Sequence, residues 1–308
     1  MNVERIKNIF KRWSGQMTFF SPTIALSDVL VSTVLRKRNG KIKHFINCYC
    51  YEKAKSIIYN RYKPVLNRWK NVKICDRNIE DTCNIYLFWW QGFDNAPKIV
   101  KECVKTIENH RGNHPVIYLS KDNWNEFCTI PGTTLNKLDK IGASKTLFSD
   151  VLRYNLLYQN GGIWIDPTCY VTSELEDEIY NFPFYTIRHG DDYTYPVAKG
   201  LWSTFFLASC KFNPLFGYVA DIFTAYWDNE SALAVYLLPD VFLALGYEHI
   251  AAFKDMIDKV PLNNQKRNLL RESLFKANGK GFDKILNEIN DGTYINKITY
   301  KMEIDKFG

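Results

Sequence analysis

Residues 149–172 read SDVLRYNLLYQNGGIWIDPTCYVT, and this stretch decides the fold. Val151, Leu152, Asn155, Leu156 and Leu157 recur at the spacing of a packed helix, which places Asp150 and Arg153, three apart, on a common face. Gly161 and Gly162 end that helix, because glycine accepts the left-handed cap that other residues resist. Ile163, Trp164 and Ile165 then form a short β-branched and aromatic run that stops at Asp166-Pro167, where proline has no N–H to give to a ladder. Asp166 therefore sits at the carboxyl mouth of a strand, where ligands of α/β sheets bind. Asp-Pro is also ordinary turn chemistry. The preceding Asp150, Arg153 and Gly-Gly turn favour a site over a bare turn.

Outward from this unit, residues 84–90 read as a strand, 97–110 as a helix, 115–120 as a second strand and 122–127 as the start of another helix. Alternating strands and helices predict an α/β fold with a mostly parallel sheet. No GxGxxG or GxxxxGK[ST] motif occurs, so neither a dinucleotide fingerprint nor a phosphate loop is supported. Trp89 and Trp90 end the first strand. Alternation predicts that one indole faces the core and the other the ligand side, where it can stack on a base.

The 308 residues, 46% of them hydrophobic, can bury a full core. Charge is uneven: residues 1–80 hold 17 Lys and Arg against 5 Asp and Glu, and the remainder 23 against 28. In the basic quarter Ile6, Ile9, Phe10 and Trp13 share a helical face ringed by Arg5, Lys7, Lys11 and Arg12. Two readings fit, a helix docked on the protein's own core and one adsorbed through residues 1–16 to an anionic leaflet. Residues 17–35 contain Pro22 and Asp28, which argues against a membrane span. Eight cysteines without CxxC spacing argue against a zinc centre and predict mostly buried, reduced thiols in a cytoplasmic protein. The Cys48-Tyr-Cys50 pair leaves chelation or cross-linking open.

Residues 144–168 (SKTLFSDVLRYNLLYQNGGIWIDPT) resemble the signature of bacterial capsular polysaccharide synthesis proteins, which are similar to the sugar-binding DxD transferases and the glucosylating clostridial toxins. Residues 85–110 (IYLFWWQGFDNAPKIVKECVKTIENH) are similar to that family's opening strand, turn and first helix. Residues 200–216, 225–245 and NKITYK at 296–301 resemble its later blocks. The resemblance implies a GT-A-type nucleotide-sugar domain over 81–260, flanked by a basic helical region, 1–80, and a helical segment, 261–308, that completes the site.

The activity implied is that of a hexosyltransferase-like glycosyltransferase. It would move a sugar, with retention, from a nucleotide-diphosphate donor, UDP-sugar favoured, to a saccharide or lipid-linked saccharide acceptor. By resemblance Trp89, Trp90 and Gln91 hold base and ribose, and Asp150 and Arg153 bind the donor sugar. Lys145, Gly162, Asp166 and Thr168 complete the donor site. Asp166 matches the first acid of the family's Mn²⁺ or Mg²⁺ motif, but Thr168 stands where the second acid belongs, so the implied metal ligands are Asp166 and Thr168. Asp240 is a candidate for orienting the acceptor hydroxyl and Trp202 for stacking on a sugar ring, with core packing the alternative for the indole. The last block carries Asn296 where the family often has histidine, and Lys297 and Lys301 can approach the diphosphate. A peripheral position at the inner face of the membrane follows from lipid-linked acceptors. A nucleic-acid binder lacks a reading motif here, whereas a catalytically degenerate nucleotide- or carbohydrate-binding protein of the same fold stays open.

Overall fold

The computed structural model describes residues 3–35, 40–190, 196–289 and 293–307, without the side chains of 3–9 and 307. Three helices come first, α1 (Val3–Phe19), α2 (Pro22–Ser32) and α3 (Lys41–Trp69). They are followed by β1 (Ile85–Phe88), α4 (Lys98–Asn109), β2 (Val116–Leu119), α5 (Gly132–Lys140), α6 (Lys145–Asn160), β3 (Gly162–Ile165) and β4 (Cys169–Val171). The chain continues through β5 (Phe184–Thr186), β6 (Phe206–Ser209), α7 (Pro214–Asn229), α8 (Leu238–His249) and α9 (Ala251–Asp258). It closes with α10 (Leu269–Lys276), α11 (Phe282–Ile289) and β7 (Ile295–Lys297).

The main sheet has the order β2-β1-β3-β6-β5. β1 pairs in parallel with β2 and with β3, while β6 is antiparallel to both β3 and β5. Four of its five strands thus run the same way, as the alternating pattern predicts, and β6 is the reversed one. β1, β3 and β6 are buried along their whole length, which is why each reads as a continuous apolar run. Ser144 caps α6 by accepting from the Leu147 N–H at 3.1 Å. Gly161 (φ 70°) and Gly162 (φ 102°) turn the chain from α6 into β3, and a Cβ on Gly162 would lie 2.6 Å from the Asn84 carbonyl oxygen. This close approach lets β3 pair directly with β1.

A separate ribbon, β4 with β7, places Cys169 opposite Lys297. It carries the end of the chain back to the mouth of β3, where the Ile298 N–H donates to the Thr168 carbonyl at 3.0 Å.

Residues 122–127 differ from expectation. Asn123 accepts the Ser120 N–H through Oδ1 at 2.8 Å, a side-chain turn that competes with helix, and only a 3₁₀ turn, Trp124–Glu126, follows. The helix begins later, at Gly132 behind Pro131.

α3 buries Cys50, Ala54, Ile58, Tyr62, Val65 and Leu66, a stripe at helical spacing packed on α7 and α8, so the basic quarter leans on the body of the protein. Among the described side chains of α1, Gln16 donates to the Ala234 carbonyl at 2.9 Å, and Arg12 pairs with Asp28 at 2.6 Å. The side chains of Arg5, Ile6, Lys7 and Ile9 lie outside the described residues. Phe10, Met17 and Phe19 are exposed, so the helix docks along one face and leaves apolar groups on another. No described helix is long and apolar enough to cross a membrane. Cys50 is buried, with its thiol toward the Ile24 carbonyl, and Cys48 lies against His44. In α10, Leu270 and Leu274 are buried, but Phe275 is exposed, one position round from that stripe.

Candidate active site

β1 and β3 run in parallel, so their carboxyl ends open on the same side, into a cleft of about 680 Å³. Trp89, Trp90 and Gln91 form one wall, Lys145 and Arg153 of α6 another, and Asp166 and Thr168 the floor. The strand stops at Phe88, one residue before the indole pair, so strict alternation no longer governs them and both indoles line the cleft. Trp90 packs edge-on against Phe148, with ring centres 5.1 Å apart, and Trp89 edge-on against Tyr300 at 5.4 Å. The expectation of one core-facing and one ligand-facing indole is corrected accordingly.

Asp166 is the hub of the floor. Its Oδ2 accepts from Lys297 Nζ at 2.7 Å, its Oδ1 accepts from Trp164 Nε1 at 3.0 Å, and Arg153 Nη2 stands 3.7 Å from Oδ1. Lys297 Nζ also donates to Thr168 Oγ1 at 2.6 Å. Burial alone would raise the Asp166 carboxyl, but the charges of Lys297 and Arg153 and the bonds from Lys297 and Trp164 outweigh it and hold the group below the usual carboxylate range. Asp166 is ionised at neutral pH.

Arg153 is buried. Its guanidinium lies 3.2 Å from Asp150, donates to the Thr204 carbonyl and covers the Trp164 ring at 5.0 Å. The helix-face pairing read from the sequence is thus present, with Arg153 buried in the cleft lining and Asp150 half-buried beside it. Asp150 does not line the cleft. Burial pushes its carboxyl up to about 7, against the pull of Arg153 and with help from Asp240 and Asp166. Asp240 is pushed up to about 6 by burial, opposed by the Trp202 hydrogen bond and Arg153.

Trp202 is 2% exposed and donates to Asp240 Oδ1 at 3.0 Å, so it is closed to a sugar ring and serves as packing. Asp240 is likewise buried, away from the cleft lining, with its carboxylate turned to that indole. Neither can face an acceptor in this arrangement. Gly162 acts through the close strand approach described above. Asn296 is 1% exposed, on the opposite side of β7 from Lys297.

Arg271 and Tyr236 also line the cleft and were not singled out by sequence reading. Arg271 sits in a polar helix whose spacing marks only its buried leucines, and Tyr236 in a turn within the 225–245 block, whose resemblance does not single it out. Among the described residues lining the cleft, five are basic (Lys145, Arg153, Arg271, Lys297 and Lys301) and one is acidic, Asp166. A second cavity, about 710 Å³, lies at the opposite, amino ends of β1 and β2. Glu80, Asp81, Glu174 and Asp177 line it against Arg111 and His114, a charge sign unsuited to a phosphorylated ligand.

The oxygens expected to hold a divalent ion, Asp166 Oδ2 and Thr168 Oγ1, are both bonded to the Lys297 ammonium. Among the described residues no group of three His, Cys, Asp or Glu side chains is placed to hold a metal. The donor set does not fit Mn²⁺ or Mg²⁺.

The family model for capsular polysaccharide synthesis proteins matches residues 28–307, and the chain belongs to that family. Among solved structures it is similar to a chain described as PaToxG Glycosyltransferase, with 17% identity and a TM-score of 0.41, over 82% of this chain and 99% of that one. No curated protein matches it.

Proposed function

We propose that this protein is a glycosyltransferase of capsule synthesis, with a GT-A-type site that moves a sugar from a nucleoside-diphosphate donor, UDP-sugar favoured, to a saccharide or lipid-linked saccharide, with retention. The observation that carries the reading is the cleft at the carboxyl ends of β1 and β3, with two indoles at one end and five cations around one carboxylate. Indoles suit a nucleobase, and the cations suit a diphosphate. Lys145, at the first turn of α6, and Lys301 add donors within the same cleft.

In the transfer the C1–oxygen bond to the donor phosphate breaks and its electron pair leaves on that oxygen. The acceptor hydroxyl oxygen bonds to C1 and gives up its proton to the departing phosphate oxygen. Fixed cations at the departing phosphate lower the barrier, because they meet the developing charge without reorganising. Asp166, ionised and held on three sides, positions Lys297 and Arg153 and can accept from a sugar hydroxyl.

The N-terminal helices support contact with an anionic membrane surface. Phe10, Met17, Phe19, Leu26, Ile42 and Phe45 are exposed in the quarter that carries the chain's excess of basic residues. Such a position, on the inner face of the membrane, would bring the cleft to lipid-linked acceptors.

Thermal shift with UDP, GDP and CMP sugars, together with nucleotide release, tests the assignment. One nucleotide should stabilise the wild-type protein and be released from its sugar. Asp166→Asn should lower release about 10²–10³-fold, as loss of a preorganised charge does, with an unchanged circular dichroism spectrum. Wild-type turnover in that variant would exclude the assignment, and binding without any turnover in the wild type would identify a catalytically silent binder.

A further inference from the structure

We infer that Lys297 takes the place of the divalent ion, so that the donor diphosphate is bound by a built-in ammonium and needs no metal. The inference rests on the nucleoside-diphosphate reading of the cleft and specifies its charge chemistry.

Position comes first. Lys297 is held by the β4–β7 ribbon directly across from Cys169, and its backbone N–H donates to the Arg267 carbonyl at 2.7 Å. The ribbon therefore fixes the lysine stem beside Thr168. The ammonium is bonded to Asp166 at 2.7 Å and Thr168 at 2.6 Å and lies 5.3 Å from the centre of the Phe205 ring. An ammonium has three N–H donors. Two are used on the floor of the cleft, and the third is left for a ligand oxygen. The side chain keeps 17% of its surface exposed and lines the cleft.

Charge points the same way. A divalent ion on Asp166 and Thr168 would have one carboxylate and one neutral hydroxyl from the protein, and it would have to expel the ammonium that now neutralises that carboxylate. Expelled or not, the ammonium would remain tethered within a few ångströms of the dication, where like charges repel strongly. Arg153, 3.7 Å from the same carboxylate, adds to that repulsion. A diphosphate meets the opposite situation, since among the described residues five cations and a single acid line the cleft. Lys297 is then the fixed countercharge that Asp166 aims, and Thr168, neutral and short, is the residue that leaves room for it.

Calorimetric titration of the protein with UDP, UMP, GDP and GMP, in EDTA and again with Mn²⁺, tests this. The expected result is that one diphosphate binds in EDTA, more tightly than its monophosphate, with an affinity changed less than threefold by Mn²⁺. Lys297→Met should weaken the diphosphate at least tenfold and leave the monophosphate within threefold. Lys297→Arg, which keeps the charge and guards against a folding defect, should recover part of the loss. Diphosphate binding that appears only with Mn²⁺ overturns the inference and leaves the transferase reading standing. Equal loss of mono- and diphosphate binding in both variants also overturns it, by reducing Lys297 to a structural role. No nucleotide binding with or without Mn²⁺ overturns the donor reading itself.

Discussion

Two carboxylate-bearing regions lie one behind the other in this protein, and their opposite ionisation shows what burial and partners each contribute. At the cleft floor Asp166 receives bonds from Lys297 and Trp164 and faces Arg153, and it is held below the ordinary carboxylate range. In the layer behind, Asp150 and Asp240 share the field of one guanidinium and are pushed up to about 7 and about 6. All three are aspartates in a largely dry setting. Two nearby cations overcome desolvation in the first region, and one cation divided among several acids does not in the second.

Arg153 joins the two regions, so its loss should have the largest effect. Arg153→Ala leaves Asp150 buried without its partner and takes one of two cations from Asp166. The expected cost is about 3–5 kcal/mol in urea unfolding, together with weakened donor use, and a loss below about 1 kcal/mol would break the comparison. Asp150→Asn sharpens it through pH. Between the unfolded value of 3.8 and about 7 the folded protein keeps a proton that the unfolded chain has released, so Asp150 makes stability fall as pH rises through that window. In Asp150→Asn that component should vanish, leaving the shorter fall from Asp240, which ends near 6. Asp166 contributes oppositely: its stabilisation is present above the unfolded value and is lost as pH falls through its lower folded value. Urea midpoints from about pH 2 to pH 8 for wild type and variant separate the two slopes. The smallest effect belongs to Trp202→Phe, which removes one hydrogen bond to Asp240 while keeping an aromatic ring. It should cost about 1–2 kcal/mol and leave nucleotide binding unchanged. A tenfold loss of binding would return Trp202 to the cleft.

Local sequence showed the helix carrying Asp150 and Arg153, the Gly-Gly turn and the apolar strand ending at Asp166, because each follows from a short period or from the conformational range of glycine. It also showed the paired indoles, though not that both reach the cleft, since the strand stops at Phe88, before either of them. Residues 122–127 were misread because a single Asn123 side chain closes a turn that apolar spacing does not register. Trp202 and Asp240 looked like site residues because they are polar or aromatic within blocks resembling the family's. Only packing shows that they satisfy each other in the interior.

Short stretches of sequence were enough for the α/β class and the strand mouth at Asp166, composition for the basic first quarter, and likeness to the family for the missing second acid at Thr168. Long-range packing decided that Lys297, 131 residues from Asp166, bonds that carboxylate, that Arg271 joins the same cleft, and that Asp150 stays out of its lining. The physical reason is range. Helix and strand periods act over one or two turns, whereas the charge on a carboxylate is set by whichever cations the folded chain brings within a few ångströms.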